Sequence, residues 1–245
     1  MLRMIKTFLL ILAMTAFGIF AASCGTDHAQ MRFVQASPDA PQNFDVTVGG
    51  KSFVTNLPYG NVSPNSGYTT VNAGTRTLEV FDTGTTTNPR INSNVSFNGG
   101  SHYTVLASGN VNPPPGTIAA VVMTDNNTAP TSGNVNLRVI HDSPSVPPLP
   151  PGTVPGPVDV YIVTPGTDIT NISPNISSLA YQQASSYQSL AAATYEVIVT
   201  FSGDKTPRID QSYALAAGQI RTLVVLDVLG GGALSSVPLE LSDLN

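Results

Sequence analysis

Three residues of hydrolytic type stand side by side in this 245-residue chain: His141, Asp142 and Ser143, within the decad RVIHDSPSVP that runs from Arg138 to Pro147. A nucleophilic triad needs the serine hydroxyl within hydrogen-bond reach of a histidine nitrogen, with a carboxylate orienting the ring. Consecutive residues leaving a strand point to alternate sides, so adjacency in sequence works against that convergence. An earlier decad, Arg32 to Pro41, reads RFVQASPDAP and keeps the Ser-Pro, with Gln35 and Ala36 where the histidine and aspartate stand. The sequence therefore predicts no catalytic residue here and no enzyme. It predicts a corner at a strand end, in which Pro38 and Pro144 fix φ and Ser37 and Ser143 bond nearby backbone. Asp39 is expected to take backbone N–H groups in an Asx-turn.

The remaining candidates are weaker. Asp45 and Asp159 occupy matched positions within strands. Each carboxylate could help hold a cation or pair with Arg32 or Arg138 across the opening strand; the pairing is expected, because metal sites need several converging ligands. His28, His102 and His141 lack metal-ligand spacing, and no glycine-rich phosphate loop leads into a helix. Neither metal nor cofactor is expected. Tyr59, Tyr68, Tyr181 and Tyr187 also occupy matched, loop-rich positions and are the candidate ligand-contact residues. A tyrosine offers an apolar face and a hydroxyl, which suits a sugar or a protein surface, but the same rings could cap a buried core. The absence of Trp weighs against carbohydrate.

The amino terminus supplies a different chemistry. Arg3 and Lys6 precede an apolar run from Phe8 to Phe20 and then small residues, the pattern of a bacterial export signal. That run is shorter than the roughly 20 residues needed to span a bilayer as a helix. Cys24, the one cysteine, follows Ala21-Ala22-Ser23, which resembles the lipobox of bacterial lipoproteins although Ala21 stands where Leu is usual. Lipidation of Cys24 is expected, with Gly25 after it favouring the outer membrane; without lipid the chain is secreted. Intrachain disulfides are impossible with a single cysteine.

Composition bounds the elements that position these residues. Charged residues make up 10% and hydrophobic ones 41%, with 21 Gly and 20 Pro. Ordinary soluble domains carry roughly 25% charged residues, and this mixture suits short strands joined by many turns. Removing residues 1–23 takes away two bases and no acid, shifting the net charge from −5 to −7. An acidic chain without basic clusters argues against a nucleic-acid partner.

The chain is also internally duplicated. After the decads, Phe44–Val48 answers to Val158–Ile162, Leu57–Gly60 to Leu179–Gln182, and Ala73–Thr75 to Ala192–Thr194. Asn88–Ile91 answers to Thr206–Ile209, and Gly100 to Gly218. Leu78 and Val80 alternate with polar neighbours, as do Val95 and Phe97, the period of half-buried strands. Expected strands in the first copy are 31–36, 44–48, 52–54, 67–71, 75–81, 91–97, 102–108 and 118–124. Gly49-Gly50 suits a tight hairpin. Ser177–Ala193 reads mainly as loop and strand. Seven or eight short strands per copy predict an all-β chain of two tandem immunoglobulin-like sandwiches after a signal helix, with a small barrel as the rival. The expected division is signal peptide 1–23, tether 24–30, first sandwich 31–125, linker 126–134 and second sandwich 135–245. The second copy also carries a stiff proline-rich insert, 7 Pro in the 14 residues Pro144–Pro157.

RFVQASPDAPQNFDVTVGG and RVIHDSPS…PVDVYI resemble the opening signature of domain of unknown function 4397, found in bacterial secreted proteins and lipoproteins. Leu57–Gly60 and Ala73–Thr75 also resemble it, while Gln35, Asp142 and Ser145 depart from it. The resemblance implies an extracytoplasmic setting and no chemistry. The expectation is a lipid-anchored, non-catalytic protein of the bacterial cell envelope with a structural or surface-interaction role. Its partners would be the membrane, through the lipid, and an envelope protein or glycan. The alternative is a glycan-binding module or an accessory component of a secreted hydrolase system.

Overall fold

The computed structural model describes residues 27–112, 116–148 and 155–244. Cys24, the expected signal helix and the middle of the proline-rich insert lie outside the described residues. The first half holds β1 (His28–Gln35), β2 (Phe44–Val48), β3 (Lys51–Leu57), β4 (Val62–Ser63), β5 (Thr69–Asn72), β6 (Gly74–Asp82), β7 (Ile91–Phe97), β8 (His102–Ser108) and β9 (Ala119–Asp125). They form two sheets, β4-β1-β8-β9 with β5 also on β1, and β3-β2-β6-β7. Strands β1 and β8 run parallel, in register from Gln30–His102 to Gln35–Ala107, and the other pairs are antiparallel.

The second half repeats the plan with β10 (Asn134–His141), β11 (Val158–Val163), β12 (Ile176–Leu179), β13 (Gln183–Ala184), β14 (Gln188–Ala191), β15 (Ala193–Phe201), β16 (Ile209–Leu215), β17 (Ile220–Val225) and β18 (Leu239–Leu244). Its sheets are β13-β10-β17-β18, with β14 on β10, and β12-β11-β15-β16; β10 and β17 form the parallel pair. Each half keeps two separate open sheets, so the architecture is two tandem immunoglobulin-like sandwiches and not a pair of closed barrels.

Local chemistry accounts for the details. Gly49 and Gly50 adopt φ of 58° and 73° and turn β2 back into β3, a conformation that a Cβ disfavours. Strand β1 begins at His28, ahead of the expected Met31, because β5 pairs with it from His28–Asn72 to Met31–Thr69. Ser177–Ala193 contains no helical turn and supplies residues to four strands, β12 to β15.

Alternation along the central strands builds three cores. Met31, Phe33, Val105 and Ala107 face the interior of the first sandwich, and Leu137, Val139, Leu223 and Val225 that of the second. The intervening Val34, Ala36, Leu106, Ile140, Val224 and Leu226 face outward and meet one another in a third apolar cluster. The outer faces of the two opening sheets thus pack together, and β1 and β10 are buried on both sides. The polar members of the outward rows, Arg32, Thr104, Ser108, Arg138 and Thr222, are carried into the seam with them.

Candidate functional site

Most of the buried polar chemistry lies in this seam. At one end, Arg32 donates through Nη2 to Asp243, and Arg138 donates through Nη2 to Asp125 at 2.6 Å, so each half's arginine bonds the other half's aspartate. Arg32 also donates through Nε to Thr104 Oγ1 at 2.8 Å, as Arg138 does to Thr222 at 3.1 Å. Thr104 and Tyr68 hydroxyls donate to Asp125 at 2.6 and 2.8 Å; Thr222 and Tyr187 both donate to Asp243 at 2.7 Å. The tyrosine rings lie over the guanidinium groups at 4.9 and 4.8 Å. Both carboxylates are fully buried. Burial alone would lower the Arg138 pKa, but Asp125, Tyr187 and Asp243 beside it raise it. Two positive and two negative groups, each hydrogen-bonded, form a neutral network that is costly to interrupt.

The two opening decads meet at the other end. His141 is fully buried; its Nε2–H donates to the Gly156 carbonyl at 3.0 Å, and Nδ1 accepts the Ser143 N–H at 3.4 Å. Gln35 Oε1 accepts the Ser37 N–H in the same way at 2.7 Å. The two side chains therefore do one job, folding the corner by accepting an N–H two residues onward. Burial brings the His141 pKa down to about 4, so the ring is neutral. Asp142 accepts the hydroxyl of Ser108 from across the seam through Oδ1, while its Oδ2 has no hydrogen-bond partner among the described residues. Burial, with Asp227 nearby, pushes its pKa up to about 7 despite that hydrogen bond. Ser143 and Ser145 hydroxyls both donate to Asp227, whose pKa burial also raises.

His141, Asp142 and Ser143 consequently turn to three different partners, and the Ser143 hydroxyl bonds Asp227 instead of the histidine. They do not form a triad. Several local expectations need correction. Asp45 does not pair with Arg32, nor Asp159 with Arg138. These aspartates lie in the other sheet of each sandwich, where Asp45 accepts the N–H of Asn56 at 2.7 Å and of Gly84 at 3.0 Å, and Asp159 accepts those of Ser178 at 2.7 Å and Gly203 at 3.1 Å. Each pins a kinked edge strand, in which Asn56 and Ser178 take φ of 57° and 50°. Asp39 makes no local Asx-turn; it accepts the N–H groups of Val111 and Asn112 at 2.7 and 2.8 Å. Ser143 does not bond nearby backbone through its hydroxyl, and the Ser37 hydroxyl has no partner among the described residues.

The four tyrosines are half-buried along the seam, with their hydroxyls turned inward. Tyr59 donates to the Asp227 carbonyl at 2.7 Å, and Tyr181 lies 3.3 Å from Ser108 Oγ, its own pKa raised to about 12 by burial. Sequence reasoning missed Asp125 and Asp243. Aligning the last strands, Met123-Thr124-Asp125 with Leu241-Ser242-Asp243, would have flagged both as a matched pair. Among the described residues, no group of three or more His, Cys, Asp or Glu side chains is arranged to hold a metal ion.

Comparison with known proteins gives one partial family match. Residues 29–150 match the model of a domain of unknown function, DUF4397, a span that covers the first sandwich and continues through β10. No curated protein matches the chain. Among solved structures, the C-terminal domain of AlgF from P. aeruginosa is 13% identical, with 45% of this chain and 97% of that one covered and a TM-score of 0.27. A leucine-rich repeat protein from Bacteroides thetaiotaomicron is 14% identical, with 83% and 27% covered and a TM-score of 0.20.

Proposed function

We propose that this chain is a non-catalytic lipoprotein of the bacterial cell envelope, exported, anchored through Cys24, and built from two copies of the same module. On this reading the paired sandwiches act as a rigid structural or surface-interaction element outside the cytoplasm. The observation that carries it is the seam. The side chains most suited to chemistry are buried there: Arg32 with Asp243 and Arg138 with Asp125 bond the two halves together, while His141 and Ser143 are taken up by Gly156 and Asp227 within the second half. Such groups lack access to a substrate and serve to hold two modules as one body. The recurrence of the whole strand order supports the two-copy reading, and the small residues before Cys24 support the anchor.

Metabolic labelling with a fatty acid tests the anchor. The wild-type chain should take up label and fractionate with membrane, whereas Cys24→Ser should do neither. Label persisting in Cys24→Ser would overturn the anchored reading.

A further inference from the structure

We infer that the open edge of the first sandwich carries a binding cleft for a single carboxylate-bearing sugar ring, a function that goes beyond the anchored element and does not depend on it. The argument starts from the cations. Among the described residues, Arg32, Arg90, Arg138, Arg208 and Arg221 form salt bridges, and Lys205 donates to Tyr161 and to the Ile172 carbonyl. Lys51 and Arg76 have no carboxylate partner, and both line one cleft of about 200 Å³ between β3 and β5. In a chain of net charge −5, two such cations converging on one concavity mark a place where the counter-charge comes from outside.

The cleft is built to receive more than a bare ion. Arg76 is already oriented, donating through Nη2 to the Ala73 carbonyl at 2.5 Å and through Nε to the Asn72 carbonyl at 3.3 Å. Its Nη1 protons remain for a carboxylate, with Lys51 as the second positive group. Phe53 and Val71 supply an apolar wall against which one face of a pyranose can lie, while Thr69 and Asn72 offer polar groups to ring hydroxyls. The volume falls below the roughly 300–1,000 Å³ of pockets that enclose a drug-sized ligand, which limits the occupant to one ring with its remainder in solvent.

The second sandwich lacks this arrangement. Tyr195 pairs in the place of Arg76 and sends its hydroxyl to the Ala191 carbonyl at 3.0 Å. The Gly49-Gly50 turn is there replaced by the longer segment 164–175. Duplication therefore leaves one such site per chain.

Titration of the full chain in detergent with glucuronate, glucose and acetate, followed by calorimetry, tests this inference. Glucuronate should bind saturably with one site per chain, and Lys51→Gln and Arg76→Gln should each weaken it about tenfold, the loss expected for one charged hydrogen-bonding group. Both side chains lie at the surface, and an unchanged melting temperature verifies folding. Equal binding of glucose, displacement by acetate at matched concentration, or affinity unchanged in both variants would overturn the sugar cleft. Repeating the titration with Cys24→Ser separates this result from the fate of the anchor.

Discussion

Replacing Asp142 by Asn should unmask a pH dependence that the native corner conceals. In the folded protein Asp142 holds its proton up to about pH 7, against 3.8 for an ordinary aspartate. Between those values the unfolded chain releases the proton and the folded one keeps it, so Asp142 makes stability fall as pH rises. The whole limb amounts to roughly 4 kcal/mol. Its neighbour His141 works in the opposite sense. The folded ring stays neutral down to about pH 4, whereas the unfolded one takes a proton below 6.5. Stability therefore rises with pH across that window, by roughly 3 kcal/mol. From about pH 4 to 6.5 the two slopes oppose each other, and their combined contribution is nearly flat. Asp142→Asn removes the falling limb and leaves the rising one. The unfolding free energy of the variant, from urea titrations, should climb relative to wild type by roughly 3 kcal/mol over that window. His141→Gln should do the reverse, and the double variant should restore the flat difference. Asp227, Tyr59 and Tyr181 face the same corner and titrate in wild type and variants alike, so they cancel in the comparison. Parallel wild-type and Asp142→Asn profiles would refute the assigned protonation states.

The other end of the seam yields two further expectations. Arg32→Met leaves Asp243 buried without its principal cation and should cost about 3–5 kcal/mol in urea unfolding; a loss below about 1 kcal/mol would mean the network contributes little beyond solvent-exposed pairs. Tyr68→Phe and Tyr187→Phe each delete one hydroxyl from a buried carboxylate and should each cost about 1–3 kcal/mol. The two losses should agree closely because the surroundings match, and a large disparity would show that the halves do not share the load.

Some strands were legible because their alternation is local: β6 and β7 follow directly from Leu78 and Val80, and from Val95 and Phe97, repeating every second position. The repeated strand order was legible because turn residues such as Leu57–Gly60 and Ala73–Thr75 are fixed by backbone conformation. The seam was not. Pairing of Arg32 with Asp45 across the opening strand was the expectation, yet the two belong to different sheets and their side chains go separate ways. The true partner, Asp243, is 211 positions from Arg32. Only the relation between modules brings it close, and no period within either copy encodes that relation. The same is true of Ser108, which reads as an ordinary strand-end serine until Asp142 arrives from the other half. His141 carried a misleading signal, since its type suggested proton transfer while its position required only a neutral acceptor, as Gln35 shows.

The parallel pairing of β1 with β8 has a mechanical consequence. Six consecutive residues of β1, Gln30 to Gln35, are registered against β8, and β5 grips its opposite edge from His28 to Met31. A pull on the amino-terminal end of β1 runs along the strand, across hydrogen bonds directed toward its neighbours. The bonds must then yield together in shear instead of opening one at a time as a zipper would. An anchor at Cys24 would deliver tension in that direction, into the strand whose two faces are both buried. The geometry makes β1 a tension member, and the far corner at Ser37 its clamp.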